Sequence, residues 1–379
     1  MTRVVLHVGL PKTGTTYLQA LLSDHREELR DAGVLYPFLR PGGMFHAAVE
    51  VRGSHEKFGL DPDAIAGSWA ALCARAQDFE GTTVISHEIL GGADEDEIAA
   101  ALLPLAGTEV HVVVTARDLG RQATAHWQEE IKLGDSRSFD DFEREQFRAD
   151  TSPSLVEPVE PFETVAAQPP QEPTRPHFWH AQDYAAALRR WSMAVPADRA
   201  HLVVCPRSGE APGELWRRFA EAAAIDPSSV DPSRVGDQVN ASLGRTEIAV
   251  LRAVNTALGG KLPQPGYSRV VKRILAERVL ARHGGERPVT PAPLAELFAE
   301  ATQGWLASID AAGHRVHGDV EELWPLPPPV GAPHPDDVPA QDRLDVATDA
   351  LAELIITAAT DPVPTPVPPR RGLLRRRDR

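Results

Sequence analysis

The chain has 379 residues, of which 42% are hydrophobic and 6% aromatic, which is enough apolar surface for one large folded domain or two smaller ones. The net charge of -15 argues against a surface that binds nucleic acid or an anionic membrane as a whole, so an anionic ligand requires a local cluster of positive charge. No apolar run reaches the roughly 18 residues of a membrane span, and no secretory signal is expected. Cys73 and Cys205, each in an apolar stretch, are expected to be buried free thiols, which is typical of a reducing cytoplasm.

Four short runs rich in β-branched residues predict buried strands at residues 4–8, 82–86, 109–115 and 201–204. Helix-like sequence separates them, and this alternation is typical of an α/β protein with a doubly wound parallel sheet flanked by helices. Ligands of such sheets bind beyond the carboxyl ends of the strands. The segments that follow the first three predicted strands are therefore expected to form one shared binding edge.

Amphipathic periodicity predicts helices at residues 17–30, 63–79, 121–148, 183–194, 246–258, 268–283, 305–312 and 343–359. Residues 151–176 are rich in proline and glutamate and are expected to form an irregular insertion. Proline density rises again after residue 325. We therefore predict one domain over residues 1–325, with extra helices after the last strand. A proline-rich tail follows over residues 326–379, mostly irregular, with the candidate helix at 343–359.

The segment after the first predicted strand reads Gly-Leu-Pro-Lys-Thr-Gly-Thr-Thr over residues 9–16. A glycine-bearing turn between a buried strand and a helix presents backbone N–H groups at the positive end of the helix dipole, so this segment predicts a phosphate-binding loop. Gly9 and Gly14 have the spacing of the G-x-x-x-x-G-K-[ST] nucleotide loop, but Thr15 stands where that pattern has lysine. The lysine lies inside the loop, at Lys12, where it can stabilise charge that develops on a bridging oxygen without a metal ion.

Residues 10–16 resemble the 5′-phosphosulfate loop, P-K-[TS]-G-T-T, of sulfotransferases that use 3′-phosphoadenosine-5′-phosphosulfate (PAPS) as sulfuryl donor. The resemblance implies a P-loop-like α/β fold and transfer of a sulfuryl group without a metal. It also implies that Lys12 contacts the bridge between the leaving phosphate and the sulfuryl group. The residues that it assigns to the cofactor's 5′ end are Pro11, Lys12, Thr13, Gly14, Thr15 and Thr16.

A second element resembles the same family, in which a strand ends in R-[DN]-P-x-x-R and a serine follows eight residues after the first arginine. In that family, the arginine and the serine hold the cofactor's 3′-phosphate. Residues 112–129 resemble this element, with Arg117 at the first arginine position, but Ala125 stands at the serine position. The resemblance therefore leaves Thr124 or Arg121 for the second contact. Further candidates for it are Arg269, Lys272 and Arg273.

Sulfuryl transfer to a hydroxyl requires a general base that accepts the acceptor's proton. His87 and Glu88 follow the second predicted strand and are the two candidates. An unperturbed histidine has a pKa of about 6.5, so His87 can accept a proton at neutral pH. Members of the resembled family place a glutamate here, and we favour Glu88. The histidines show no H-x-x-x-H spacing and the cysteines no C-x-x-C spacing, so no metal site is predicted.

The sequence thus predicts a sulfotransferase that moves the sulfuryl group of PAPS to a hydroxyl or amine of a small molecule or glycan. Two alternatives stay open. One is a P-loop kinase that uses ATP and Mg²⁺, against which the position of Lys12 counts, and the other is a non-catalytic nucleotide-binding member of the fold, for which Ala125 is the best argument. The acceptor is expected to contact the segments 40–60 and 151–176, because loops carry specificity. Neither the acceptor's identity nor an oligomeric state is predicted.

Overall fold

The computed structural model describes residues 2–147, 177–207, 209, 211, 213–234 and 242–360. The predicted insertion at 151–176 and the end of the predicted tail, 361–379, lie outside the described residues. Within them, six strands form one sheet in the order β2-β3-β1-β4-β5-β6, and every neighbouring pair is parallel. The strands are β1 (Arg3–His7), β2 (Val34–Leu35), β3 (Thr82–Ser86), β4 (Glu109–Ala116), β5 (Ala200–Val204) and β6 (Arg315–His317).

The predicted α/β architecture, a parallel sheet flanked by helices, is confirmed. The four predicted strands are the central ones, β3, β1, β4 and β5, because only these are long enough to form an apolar run. The edge strands were not predicted. Strand β2 has only two residues, and β6 reads Arg-Val-His, which carries no buried run.

Fourteen α-helices and a π-helix are present in the described residues. They are α1 (Thr15–Asp24), α2 (Arg26–Asp31), α3 (Gly43–Val51), α4 (Pro62–Ile65), α5 (Ser68–Gln77), α6 (Glu95–Leu102), α7 (Leu119–Lys132), α8 (Phe139–Phe147), α9 (His177–Gln182), α10 (Tyr184–Ser192), α11 (Glu214–Ala223), α12 (Arg245–Leu258), α13 (Leu294–Ala312), α14 (Ala340–Thr360) and the π-helix Ser268–Val279. None of these helices is both long and apolar enough to cross a membrane.

The first three predicted helices were wrong as continuous elements, since each is divided in two. His25 separates α1 from α2, Gly67 with φ +77° precedes α5, and Gly134 with φ +115° follows α7. Glycine adopts positive φ at little cost and so ends a helix, whereas apolar periodicity continues across the break. Helices α3, α6, α9 and α11 were not predicted. The sequence did contain a helix-start signal for α6, because Asp94 and Glu97 form a capping box.

The apolar side chains form two layers, one on each face of the sheet. Alternate residues of a strand enter opposite layers, so that Val4 and Leu6 of β1 lie in the larger layer and Val5 in the smaller one, all fully buried. Helices α1 and α11 cover the smaller layer, and α5, α7, α10 and α13 cover the larger one. Each fully buried aliphatic side chain contributes about 1.5–3 kcal/mol to folding. Burial on both faces therefore holds the strand ends rigidly at one edge.

Helix α14 contains the predicted helical part of the tail. It packs against α12 and the π-helix, and its Ala350 is buried in the larger layer. Asp336, which precedes it, accepts hydrogen bonds at 3.0 Å from the backbone N–H groups of Phe139 and Asp140 and pairs with Arg252 at 2.9 Å. The described part of the predicted tail is therefore attached to the rest of the domain.

Three histidines form a ladder across β4, β5 and β6. His111 Nδ1 lies 2.9 Å from His201 Nε2, and His201 Nδ1 lies 3.1 Å from His317 Nε2. His111 Nε2 donates to the Glu109 carboxylate at 2.8 Å, which orients each neutral ring to donate through Nε2 and accept through Nδ1. Burial, followed by repulsion from the neighbouring histidines and Arg315, lowers the pKa of His201 to about 3.

This ladder predicts a pH-dependent loss of stability. Below pH 6.5, His201 binds a proton in the unfolded chain but stays neutral in the folded protein, because its folded pKa is about 3. The free energy of unfolding therefore falls as the pH falls from 6.5 towards 3. One such group contributes a slope of at most about 1.4 kcal/mol per pH unit. His201→Leu removes the group, and we expect a shallower slope over this range in denaturant unfolding. The control is His55→Gln, at a half-buried position outside the ladder. Parallel curves for wild type and His201→Leu would contradict the prediction.

Candidate anion-binding site

The loop between β1 and α1 lies near the middle of the sheet, because β1 is flanked by β3 and β4. Gly9 and Gly14 have φ of +44° and +80°, and a Cβ on Gly9 would lie 2.4 Å from Thr15 Cγ2. Lys12 has φ +67°, a left-handed conformation that costs a non-glycine residue about 1–2 kcal/mol. No side chain caps α1, and no described residue accepts a hydrogen bond from the backbone N–H groups of residues 12–17. The loop therefore presents unpaired donors at the positive end of a helix.

A chain of buried hydrogen bonds lies beneath this loop. The Thr13 hydroxyl donates to the Leu10 carbonyl at 2.6 Å and accepts from the Thr115 hydroxyl at 2.6 Å. The Thr115 hydroxyl in turn accepts from His7 Nε2 at 3.3 Å, and His7 Nδ1 accepts from the Ser86 hydroxyl at 2.8 Å. Burial, with a smaller contribution from His87, lowers the pKa of His7 to about 3, so the ring is neutral and can serve both roles. The chain fixes the loop to β1, β3 and β4.

Two further residues support the loop from behind. Cys205 Sγ donates to the Thr13 carbonyl at 2.9 Å, and burial raises the pKa of this thiol to about 12. Gly91 has no side chain where the loop passes, and a Cβ there would lie 2.7 Å from the carbonyl oxygen of Gly9 and 3.0 Å from that of Val8. Both neighbours are backbone atoms, which cannot rotate out of the way. The loop is therefore sensitive to substitution at Gly91.

The loop forms one wall of a cavity of about 660 Å³ at the carboxyl ends of the strands. Its other walls come from α7, the π-helix and the segments that follow β3 and β5. The basic side chains on the walls are Lys12, Arg117, Arg121, Lys132, Lys272 and Arg287, and the acidic ones are Glu88, Glu129 and Glu277. Six positive charges against three negative ones leave the cavity cationic in a chain whose net charge is -15. This is the local positive cluster that an anionic ligand requires.

Arg117 has no hydrogen bond to any described residue. It follows β4 directly, is half-buried, and its Nε atom is buried without an acceptor. Burial and then the charge of Arg121 lower the pKa of Arg117. Arg121 pairs with Asp118 and donates to the Pro206 carbonyl at 3.2 Å, but its Nη2 atom is also buried without an acceptor. Unpaired guanidinium nitrogens are costly inside a protein, so both point to an acceptor that an anionic ligand would supply.

Glu129 is the acidic cavity residue that pairs with two of the basic ones. Its carboxylate accepts from Lys12 Nζ at 2.5 Å and from Lys272 Nζ at 2.7 Å. Burial raises the pKa of Glu129, but the charges and hydrogen bonds of the two lysines outweigh burial and lower the pKa to about 2. Lys132 lies close by, and burial, together with the charge of Lys12, lowers its pKa to about 8. Glu129 therefore holds two of the cavity's cations in place.

The two predicted base candidates have different positions. Glu88 lines the cavity, and its carboxylate accepts from Gln19 Nε2 at 3.2 Å. His87 does not line it, because its Nδ1 accepts from the Ile89 N–H at 3.3 Å and its ring contacts Phe45. Burial lowers the pKa of His87 despite the opposing charge of Glu88. Of the two, only Glu88 is exposed to a ligand in the cavity.

The remaining predicted residues also divide into those that line the cavity and those that do not. All of the predicted loop residues line the cavity, including Pro11, Thr15 and Thr16. The Thr13 hydroxyl, however, makes its hydrogen bonds beneath the loop. Thr124 does not line it, since this buried residue directs its hydroxyl to the Arg121 carbonyl at 3.5 Å. Ala125 does line it, so the helix presents a methyl group where the resemblance expects a hydroxyl.

Several cavity residues were not predicted from sequence. Of the three basic candidates in the predicted helix 268–283, only Lys272 lines the cavity, while Arg269 and Arg273 are exposed elsewhere. Glu129 and Lys132 were overlooked, although they follow Ala125 at i+4 and i+7 on one face of α7. That spacing was the available signal. Arg287 lies in a segment without regular structure, and no sequence pattern predicted its position in the cavity.

Comparisons of the chain with family models, with curated proteins and with solved structures found no match.

Gly91 gives a test of the loop with a control beside it. In Gly91→Ala the new methyl group displaces the Gly9 carbonyl, and we expect the free energy of unfolding to fall by about 1–3 kcal/mol and pyrophosphate binding to weaken. Gly92→Ala meets its nearest neighbour, Arg52 Nη2, at an ordinary 3.5 Å, so this variant should resemble wild type in both measurements. Equal behaviour of the two variants in denaturant unfolding and calorimetric titration would show that the loop is not confined at Gly91.

Arg117 and Arg218 form a second matched pair. Arg117→Ala removes a guanidinium that has no hydrogen-bond partner in the described part of the chain, so stability should be unchanged or increased while pyrophosphate binding weakens about 10- to 100-fold. Arg218 is more deeply buried than Arg117, but it pairs with Glu214 and Glu322 and donates to the Val204 carbonyl, and Arg218→Ala should cost about 3–5 kcal/mol. Thermal unfolding and calorimetric titration check both variants. A large loss of stability in Arg117→Ala would mean that its role is structural.

Proposed function

We propose that the protein is a sulfotransferase that transfers the sulfuryl group of PAPS to a hydroxyl or amine of a small molecule or glycan. The observation that carries the proposal is Arg117, a half-buried arginine without an acceptor among the described residues, on the wall of the same cavity as the Lys12 loop. PAPS has anionic groups at two ends, and this cavity has unpaired donors at two places. The resemblance of the loop to the phosphosulfate loop identifies which end binds where.

The P-loop-like fold is part of the proposal. After β1 the chain forms β2 and β3 on one side of this strand and then crosses to β4 on its other side, so the strand order reverses beside the loop. Such a switch point is where open parallel sheets bind their ligands. The position of the loop at this point, before an uncapped helix, supports a P-loop-like arrangement.

The residues present fit the two ends of the cofactor. Backbone N–H groups of residues 12–17 and the Thr16 hydroxyl would hold the 5′-phosphosulfate. Arg117 and Arg121 would hold the 3′-phosphate with the guanidinium nitrogens that now lack acceptors. Since Ala125 offers no hydroxyl and Thr124 faces away, the arginines replace the second contact that the resemblance implies.

In the proposed reaction an acceptor oxygen or nitrogen attacks sulfur in line. The new bond to sulfur forms while the bond from sulfur to the bridging phosphate oxygen breaks, and that oxygen keeps the electron pair. Lys12 would donate to this oxygen once the ligand releases it from Glu129, and so would stabilise the leaving phosphate. Glu88 would take the acceptor's proton, because it is the base candidate that lines the cavity.

The acceptor side of the proposed site would lie towards α3, beyond the walls of the described cavity, since neither Phe45 nor His87 lines it. The predicted variable segment 40–60 contains this helix, and Phe45 on it contacts His87 with ring centroids 5.6 Å apart and Phe58 at 5.1 Å. This aromatic group adjoins Glu88 through His87. Aromatic side chains offer a large apolar area against which an apolar or aromatic face can pack. We therefore propose an acceptor with an apolar face beside the reacting hydroxyl or amine.

Two alternatives make different predictions about the ligand. A P-loop kinase requires a magnesium site, and the acidic residue that follows β4, Asp118, is already paired with Arg121. A non-catalytic member of the fold would bind the nucleotide without turnover. Binding and turnover therefore separate the three possibilities.

The first experiment measures binding by calorimetry. The sulfotransferase proposal predicts that adenosine 3′,5′-bisphosphate, the desulfonated form of the cofactor, binds with micromolar affinity and without Mg²⁺, and that ATP binds much more weakly. Arg117→Ala should weaken binding of the bisphosphate more than binding of adenosine 5′-monophosphate, because it would lose the 3′-phosphate contact. Preference for ATP with Mg²⁺ would favour the kinase and overturn the proposal.

The second experiment measures sulfuryl transfer to a panel of phenols, amines and sugars. Lys12→Ala and Glu88→Gln should keep the fold and lose at least about 100-fold in turnover, since one group stabilises the leaving oxygen and the other takes the proton. Glu80→Gln, at an exposed position outside the cavity, is the control. Binding of the bisphosphate without transfer to any acceptor would instead support the non-catalytic alternative.

A further inference from the structure

A second cluster of polar side chains lies on α7, on a face different from the one that lines the cavity. Residues 125, 128, 129 and 132 line the cavity, whereas His126 and Glu130, one turn apart, share another face. His177, the first residue of α9, lies against this face because α9 packs on α7. His126 is buried, Glu130 is partly buried, and the His177 side chain is 57% exposed.

The three side chains bring one possible ligand atom each close to the others. His126 Nε2 lies 3.1 Å from His177 Nδ1 and 3.4 Å from Glu130 Oε1, and His177 Nδ1 lies 3.5 Å from the same carboxylate oxygen. Four ligands in a tetrahedron around zinc, at bond lengths of about 2.0–2.2 Å, are separated by about 3.3–3.6 Å. The three observed separations nearly match the edges of one tetrahedral face. We propose that His126, Glu130 and His177 bind a divalent transition-metal ion of the Zn²⁺ class and leave its fourth position open.

The surroundings of the cluster are those that metal ligands require. The second carboxylate oxygen of Glu130 accepts from Arg137 Nη2 at 2.7 Å, which fixes the orientation of the carboxylate. The rings of Phe142 and Phe178 lie 6.1 Å and 5.5 Å from the His126 ring and exclude water on that side. The exposed His177 leaves the other side accessible from solvent. The site therefore has an oriented ligand set, an apolar shell and an entry path.

The cluster is also connected to the phosphate loop. His126 Nδ1 lies 3.3 Å from Gln182 Nε2, and the side-chain oxygen of Gln182, Oε1, accepts from Gln122 Nε2 at 2.6 Å. Gln122 Nε2 also donates to the backbone carbonyl of Pro11 at 2.9 Å. A metal on His126 Nε2 leaves the ring proton on Nδ1, which needs an acceptor. Ion binding would therefore require the Gln182 amide to rotate. Its nitrogen would then face Gln122 Nε2, so Gln122, which donates to the loop carbonyl of Pro11, would have to rearrange as well.

A similar group elsewhere lacks these properties and serves as a control. Asp140, His334 and Asp336 also lie close enough together to hold an ion. The Asp336 carboxylate, however, is occupied by the backbone N–H groups of Phe139 and Asp140 and by Arg252. Asp140 is largely exposed. This group is explained by its structural contacts and is not expected to bind an ion tightly.

The test uses the full chain without an affinity tag, treated with a chelator and then dialysed. We expect Zn²⁺ alone to bind at one ion per chain with micromolar or tighter affinity in calorimetry, and Co²⁺ alone to give the visible absorption bands of a four-coordinate site. His177→Ala and Glu130→Gln should each weaken binding at least about 100-fold. His177 is exposed, so His177→Ala tests the site even where His126→Ala fails to fold.

His334→Ala should bind Zn²⁺ like wild type, because it lies in the control group. The proposal is overturned when wild type binds no ion stoichiometrically, when His177→Ala binds as tightly as wild type, or when His334→Ala alone loses binding. None of these results depends on PAPS, so the metal site and the sulfotransferase proposal fail independently.

Discussion

The loop between β1 and α1 keeps its shape because a neutral, fully buried histidine lies beneath it. His7 donates through one ring nitrogen and accepts through the other, and so it joins Thr115 below the loop to Ser86 at the end of β3. This arrangement is possible only while the ring is uncharged, and burial ensures that it is. The left-handed backbone of Lys12 and the unpaired first turn of α1 both depend on this support. A free loop of this sequence would have no reason to adopt that conformation.

The second constraint is electrostatic. A chain of net charge -15 gathers six basic side chains on one cavity, and their mutual repulsion has to be offset in the absence of a ligand. Glu129 offsets part of it by pairing with Lys12 and Lys272. Arg117 has no such partner among the residues that the structure describes. One part of the cavity's positive charge is therefore neutralised by Glu129, and the buried Nε of Arg117 is left for the external anion that we propose.

Helix α7 links the two sites of the molecule. One face carries Arg121, Glu129 and Lys132 to the cavity, another carries His126 and Glu130, and the apolar face is buried in the larger layer through residues such as Trp127. Gln122 extends from the same helix to the loop carbonyl of Pro11. A shift of this helix would therefore move residues at the loop, the cavity and the histidine cluster together.

The sequence by itself determined the central strands, the parallel α/β class and the position of the loop, because each depends on local patterns: apolar runs for β1, β3, β4 and β5, and a glycine-lysine-glycine turn before α1. It also placed Glu88, Arg117 and Arg121 in the segments that follow predicted strands, which the parallel sheet then brought to one edge. Only the tertiary structure decided the rest. The edge strand β6 is too short to leave a pattern, and Gly67 and Gly134 end helices that periodicity would continue. The pairing of Glu129 with Lys272, 143 residues away, and the meeting of His126 with His177 depend on helix packing, which no local pattern encodes. The physical reason is that charge and coordination act through space, whereas sequence periodicity reports only on which face of one element is buried.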